Sequence, residues 1–334
     1  MDILLIAILI AGFYMAWNIG ANDTANSVGT SVGSGVLSLR GAIIRVCIFD
    51  MLGALLMGKY VTKTIGKGIV NIDAIGDIHI ITIGALAAIL GAGIWVTIAT
   101  LMRLPVSTTH SIVGAMLGFG LVAGGIEHIN WNVLVRIASS WIVSPLVGAL
   151  MSFIIFSMIR SFVLKKADNI RKTEKVFGYL QVFTAMYVGF SIGANDVANA
   201  IGPLYLVLTM KGAVVDPLWI LAFGGLGIAA GMLTWGYKVI DTIGKRVTEI
   251  TPTRGFSAEF ATASVVLVNT YIGMPISTTH TLVGAVIGVG FARGIKALNI
   301  RIIYTMLISW VVTVPLTAIF SMVIFLLVRA WLGV

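Results

Sequence analysis

Gly20-Ala21-Asn22-Asp23-Thr24-Ala25-Asn26 follows an apolar run that starts at Ile3, and the pattern returns as Gly193-Ala194-Asn195-Asp196-Val197-Ala198-Asn199, 173 residues later. A second stretch behaves the same way. Leu104-Pro105-Val106-Ser107-Thr108-Thr109-His110 returns as Met274-Pro275-Ile276-Ser277-Thr278-Thr279-His280, at an offset of 170 residues. Thr64-Ile65-Gly66-Lys67 has a twin in Thr242-Ile243-Gly244-Lys245, and Trp141 has one in Trp310. Four matches in one order at a nearly constant offset are a duplication. The chain therefore divides into a first repeat (1–160), a basic linker (161–175) and a second repeat (176–334).

Composition sets the solvent. The chain has 334 residues, of which 58% are hydrophobic and only 10% charged, where soluble domains carry about 25%. A mean hydropathy of +1.04 excludes a soluble enzyme, because no core of this size hides so much apolar surface. The expected fold is an all-α polytopic membrane protein. A span needs ~20 apolar residues, and ~28 residues per pass with its loop predict about 12 membrane segments. The opening Ile3-Leu4-Leu5-Ile6 lacks a basic lead-in and reads as a spanning helix rather than a cleaved signal.

The net charge of +9 predicts topology-setting loops rather than a nucleic-acid partner. Around the linker, Arg160, Lys165, Lys166, Arg171, Lys172 and Lys175 outnumber Asp168 and Glu174. The positive-inside rule assigns that loop to the cytoplasm. If each half crosses an odd number of times, the halves are inverted, a plan with its site near the midplane at the repeat interface. The lone Cys47 excludes an intrachain disulfide and cysteine-based metal centres. The polar motifs interrupt apolar stretches at corresponding places, which predicts broken or re-entrant helices.

The first motif reads as a cation site. A carboxylate inside the membrane costs ~2.5–3.5 kcal/mol on insertion scales, and this chain carries one at equivalent places in both halves, Asp23 and Asp196. On a helix, Asn22, Asp23 and Asn26 share a face, as do Asn195, Asp196 and Asn199. Carboxylate and amide oxygens suit Na⁺ or a proton relay rather than soft metals. The Gly-Ala lead-in is expected to let the helix break and free carbonyls as further ligands. Taken singly, such residues are also ordinary helix caps.

The second motif reads as an anion site. Pro105 and Pro275 favour the first turn of a helix, and serine or threonine its N-cap. Ser107-Thr108-Thr109 and Ser277-Thr278-Thr279 would then add hydroxyls to the unpaired N–H groups of two helix starts. Phosphate is the usual guest of such a terminus; hydrogen bonding between packed helices is the plainer alternative. His110 and His280 lie three residues beyond Ser107 and Ser277, as a nucleophile and base would. No carboxylate at fixed spacing orients either, so both read as packed helix residues. Gln181 lies in an apolar helix, where it either adds a cation ligand or bonds a neighbouring helix. Glu259 aligns with Ile89 and so is unpaired between the halves; Glu259 and Asp50 are expected to pair with Arg45, Arg103 or Arg254. Thr64 to Lys67 and their twin read as loop or membrane-surface anchors.

At these residues the chain resembles the inorganic phosphate transporter family (PiT type). The two Gly-Ala-Asn-Asp-x-Ala-Asn and two Pro-x-Ser-Thr-Thr-His segments carry the resemblance, and it covers essentially the whole chain. It implies an inverted-repeat transporter, not an enzyme, without a cofactor, that couples inorganic phosphate to Na⁺ or H⁺. It places Asn22, Asp23, Asn26, Asn195, Asp196, Asn199 and, through the stretch around it, Gln181 at the cation sites. Ser107 to Thr109 and Ser277 to Thr279 then hold phosphate. The expected function is Na⁺-coupled phosphate symport in the cell membrane, with two Na⁺ per phosphate. The alternatives are an H⁺-coupled phosphate or sulfate carrier, a passive anion channel and an intramembrane hydrolase. Phosphate, Na⁺ and the bilayer are the expected partners, and a homodimer is compatible with domains that move on a fixed scaffold.

Overall fold

The computed structural model describes residues 3–212, 216–240, 250–294 and 299–333; the second Thr-Ile-Gly-Lys segment, 242–245, lies outside them. Among the described residues the chain is all-helical apart from one isolated bridge between Val70 and Ile129. The first half comprises α1 (Ile3–Gly33), α2 (Leu39–Met57), α3 (Lys59–Lys63), α4 (Ile72–Ile75), α5 (Ile78–Leu101), α6 (Thr108–Ala123) and α7 (Trp131–Met158). The second comprises α8 (Ile170–Met210), α9 (Pro217–Trp235), α10 (Pro252–Tyr271), α11 (Thr278–Arg293) and α12 (Ile300–Leu332).

Six described helical segments are long and apolar enough to cross a membrane, and a seventh if α2 and its bent continuation count as one span. The expected count of about 12 is not reached. The reason is length and polarity. α6 and α11 have 16 residues each, which rise only about 24 Å at 1.5 Å per residue, less than the ~30 Å hydrocarbon core. α10 has 20 residues but carries Thr253, Arg254, Ser257, Glu259 and Thr262. α8 takes up 41 residues in one element. Helix is continuous to within three residues of the joint between the halves, because α8 begins at Ile170 inside the basic linker and a 3-10 turn ends at Lys166.

The halves are interleaved. α7 packs on α11 and α12 on α6; α2 packs on α8 and α9 on α1. Each half's closing helix thus covers the other half's hydroxyl-motif helix. Glycines permit the approach: a Cβ on Gly284 would strike the Pro145 carbonyl, and one on Gly114 would strike that of Val314. α5 and α6 form a hairpin through 102–107, and α10 and α11 one through 272–277. The two turns share a left-handed residue, Gly273 at φ 74° in one copy and Arg103 at φ 59° in the other. Glycine accepts that conformation freely; arginine does not.

One expectation fails. The Gly-Ala-Asn-Asp segments do not break their helices, since α1 and α8 run straight through them. Their glycines serve packing instead: a Cβ on Gly20 would meet the Ile228 carbonyl, and one on Gly193 that of Asp50. The breaks fall elsewhere, at the two hairpin turns and at Gly58, where the chain bends by 57° between α2 and α3.

Candidate functional site

α1 and α8 are buried over their polar middles, and every residue from Asn18 to Ser31 and from Ser191 to Leu204 is removed from solvent. The first asparagine of each motif is a clamp. Asn22 Nδ2 donates to Thr100 Oγ1 (2.9 Å) and the Leu104 carbonyl (3.1 Å), while its Oδ1 accepts the Val106 N–H (3.1 Å). Asn195 repeats this on Thr270 (2.9 Å), the Met274 carbonyl (3.2 Å) and the Ile276 N–H (3.3 Å). Each clamp fixes the turn that leads into its hydroxyl helix.

Those helices start as the sequence predicts. Ser107 and Ser277 are N-caps, each accepting the N–H three residues on, from His110 and His280, at 3.1 Å. The two N–H groups ahead of that capped one, on Thr108 and Thr109 and on Thr278 and Thr279, have no intrahelical acceptor by the geometry of a helix start.

The threonines join the two motifs. Thr108 Oγ1 donates to Asp23 Oδ2 (3.0 Å), and Thr278 Oγ1 to Asp196 Oδ2 (2.9 Å). The next threonine crosses to the other half. Thr279 Oγ1 receives Asn26 Nδ2 (2.8 Å), lies 3.4 Å from Asp23 Oδ1 and reaches the Val106 carbonyl (3.1 Å). Thr109 Oγ1 receives Asn199 Nδ2 (3.1 Å) and donates to the Ile276 carbonyl (2.9 Å). The structure therefore brings Asn22, Asp23, Asn26, Asn195, Asp196, Asn199 and both Ser-Thr-Thr segments into one buried network spanning both halves.

Two oxygens in that network have no hydrogen-bond partner among the described residues, Asn26 Oδ1 and Asn199 Oδ1. They occupy equivalent positions, beside Asp23 and Asp196, and Asn26 Nδ2 donates to Asp23 Oδ1 at 2.8 Å. A buried acceptor left without a donor costs about 1–3 kcal/mol. An oxygen-seeking cation satisfies it, and the surrounding carboxylate, amide and hydroxyl oxygens are the donor set of a hard cation.

Gln181 lies apart from these residues. It belongs to a second buried cluster around Glu259, where its Nε2 donates at 3.2 Å. Thr30 (2.5 Å) and Ser31 (2.6 Å) donate to Glu259 Oε1, and Thr184 (2.5 Å) to Oε2. The expected arginine partner is replaced by three hydroxyls and an amide. Asp50 also departs from expectation: it is fully buried, and neither carboxylate oxygen has a hydrogen-bond partner among the described residues. Sequence reasoning singled out both acids but not their surroundings, because Glu259's donors lie on α1 and α8, far away in the chain.

The histidines are packed side chains. His280 stacks on Trp310 and His110 packs tilted on Trp141, each at 3.6 Å between ring centroids, and the two histidines meet at 4.3 Å. His110 Nδ1 lies 3.4 Å from the Trp310 carbonyl. Ser107 Oγ faces the His110 backbone N–H rather than its ring, so no nucleophile–base pair forms.

A duplicated helical protein with apolar spans, carboxylates and helix-start hydroxyls in one buried network has the make-up of a membrane transporter. Comparison with known proteins gives the family: the model of the "Phosphate transporter family" matches residues 19–321, and the chain belongs to that family. It is 43% identical to a protein named as a phosphate permease in Pyrococcus abyssi, with 97% of this chain and 98% of the relative aligned. It is 40% identical to the chloroplastic inorganic phosphate transporter 2-1 of Arabidopsis thaliana, over 93% of this chain and 70% of that one. A solved structure described as the sodium-dependent phosphate transporter superposes with a TM-score of 0.90 at 37% identity, covering 98% of this chain and 100% of that one. The chain is thus an integral membrane protein of a transporter family.

Proposed function

We propose that the chain is a secondary active transporter that moves inorganic phosphate across the cell membrane together with Na⁺. The observation that carries this reading is the mirrored pair of unpartnered oxygens, Asn26 Oδ1 and Asn199 Oδ1, each beside a buried carboxylate. In this reading one Na⁺ is held at Asp23 and Asn26 and a second at Asp196 and Asn199. The halves are inverted, and the basic linker is cytoplasmic. The name of the solved sodium-dependent relative supports the choice of ion.

Phosphate lies between the two hydroxyl helices. The N–H groups of Thr108, Thr109, Thr278 and Thr279 and the dipoles of α6 and α11 supply positive potential without a buried arginine. The threonine hydroxyls now turned to Asp23 and Asp196 re-aim at the phosphate oxygens, and Ser107 and Ser277 hold the helix starts rigid. Coupling follows from electrostatics. Two bare carboxylates repel a phosphate anion, and cations that neutralise them remove the repulsion. Asn22 and Asn195 transmit occupancy to the hairpin turns they clamp. Gln181 enters only as a partner of Glu259, a further buried carboxylate outside the motif network.

Radiolabelled phosphate uptake into proteoliposomes, with an inward Na⁺ gradient against an equal K⁺ gradient at fixed pH, tests the proposal. Uptake that needs Na⁺ and disappears in Asp23→Asn and Asp196→Asn supports it; uptake indifferent to Na⁺ overturns it. Asp50 favours a second reading. A buried carboxylate without a donor is costly unless neutralised, and a proton at Asp50 would make the carrier H⁺-coupled. Uptake driven by a pH gradient without Na⁺ is its signature.

A further inference from the structure

α3 continues into a π-helical turn at Thr64–Gly68, and the combined segment carries Lys59, Lys63 and Lys67 on its exposed side. Lys63 and Lys67 make no hydrogen bond or ion pair among the described residues. Two cavities flank them. One, of about 270 Å³, is lined by Lys63, Lys67 and Arg136, with Thr64, Gly273 and Met274 among its other walls. The other, of about 340 Å³, shares Lys63 and Lys67 and adds Lys59. Among the described residues no carboxylate lines either cavity.

The position of these cations is unexpected. Tyr205 and Thr209 of α8 line the larger cavity, some 35 residues along one helix from Ile170, or about 50 Å. The cluster therefore lies at the end of the molecule opposite the basic linker. The positive-inside rule explains basic residues at the linker end, including the cavity of about 360 Å³ between Arg160, Lys165, Arg254 and Arg293. It disfavours lysines at the other end, so the α3 cluster needs another reason.

The floor of the smaller cavity supplies one. Thr64 Oγ1 donates to the Gly273 carbonyl (2.8 Å), and Asn195 clamps the Met274 carbonyl (3.2 Å). Gly273 and Met274 are the residues immediately before Pro275-Ile276-Ser277-Thr278-Thr279. The wall of this cavity therefore includes the two residues that lead into the hydroxyl helix start. Lys63 and Lys67 are four residues apart, about 6 Å between their Cβ atoms on a helix, so both ammonium groups can reach a single oxyanion.

We propose that Lys63, Lys67 and Arg136 form a cationic antechamber that binds inorganic phosphate before it enters the buried network. The proposal rests on the transport reading above, in which the end opposite the linker faces outwards and meets the incoming substrate. Its chemistry is a tetrahedral phosphate held by three cations that have no carboxylate partner among the described residues. A cleft of one charge sign raises both local substrate concentration and capture rate. The headgroup of an anionic phospholipid offers the same chemistry, and the test separates the two sources.

The full chain is placed in nanodiscs of phosphatidylcholine alone, and lysine acetylation by an N-hydroxysuccinimide ester is followed residue by residue by mass spectrometry. Inorganic phosphate should slow modification of Lys63 and Lys67 relative to chloride at equal ionic strength, leaving Lys165 and Lys166 unchanged. Thr279→Ala should keep this protection, which separates the antechamber from the buried site. Equal modification in phosphate and chloride overturns the proposal. So does protection conferred by phosphatidylglycerol to which phosphate adds nothing, because the occupant is then lipid. In uptake measurements on phosphatidylcholine proteoliposomes, Lys63→Gln with Lys67→Gln should raise KM about tenfold at low salt with kcat unchanged. The difference should close as ionic strength rises. An unchanged KM at low salt counts against the antechamber, whereas a wild-type chain that takes up no phosphate counts against the transport reading alone.

Discussion

The two halves match closely in the network built from their repeated motifs and differ outside it. Asn22 and Asn195, Asp23 and Asp196, Thr108 and Thr278, and Thr109 and Thr279 make matching bonds in exchanged positions, with the added approach of Thr279 to Asp23 Oδ1. Glu259 is the exception: its counterpart Ile89 is fully buried among apolar neighbours, while Glu259 gathers three hydroxyls and an amide. The lysines of α3 are a second difference, because they crowd one end of the molecule. A carrier with a symmetric site has no built-in preference for either side. Features that exist once, such as Glu259 and the α3 cluster, are where such a preference can reside.

The largest expected effect tests the equivalence directly. Asp23→Asn and Asp196→Asn should each lower Na⁺-driven uptake by about two orders of magnitude, the loss typical of removing one charge from a buried arrangement. Parallel losses in a proteoliposome assay uphold the equivalence; a variant that keeps most of its uptake breaks it. Glu259→Ile makes the copies alike at that position. It leaves the hydroxyls of Thr30, Ser31 and Thr184 without their acceptor, at about 1–3 kcal/mol for each orphaned group. A clear fall in the thermal midpoint of the purified protein is expected, against little change for Ile89→Val, which should cost about 1 kcal/mol.

The clamps give a finer test. Asn22→Ala and Asn195→Ala each remove two donated bonds and one accepted bond at a hairpin turn. Each should cost about 1–3 kcal/mol, read as equal shifts in thermal midpoint, and an unequal pair would show that one turn is held by other means. The smallest effect belongs to the aromatic column. The indole N–H groups of Trp141 and Trp310 have no partner among the described residues, so Trp141→Phe and Trp310→Phe retain most of the ring contact and remove an unmet donor. Their stability should move by less than about 1 kcal/mol in either direction.

The duplication, the membrane solvent and the two polar motifs are legible in the sequence because each depends on residue type at fixed spacing. Ser107 and Ser277 as helix caps follow from local chemistry alone. What escapes is whatever depends on partners distant in the chain. Nothing near Gly20 says that Ile228 will press against it, so a glycine that admits a neighbour reads like a glycine that breaks a helix. Gln181 reads either as a cation ligand or as a bond to another helix, and only the partners Glu259 and Ser34, which arrive on other helices, show the second. The number of long apolar spans among the described residues falls short of about 12 for a related reason: dividing length by a standard pass takes no account of a 41-residue helix or of two 16-residue ones.

The exchange of closing helices bears on how the protein is made. α7 ends at Met158, but the helix it covers, α11, begins only at Thr278. At 5–20 residues per second, the ribosome needs on the order of ten seconds to synthesise the intervening chain. Throughout that interval the nascent first half has the α11-facing side of α7 without its protein partner, and α6 awaits α12 for still longer. Insertion of the first half therefore ends as an open assembly, and the last helix to emerge completes the packing of both halves.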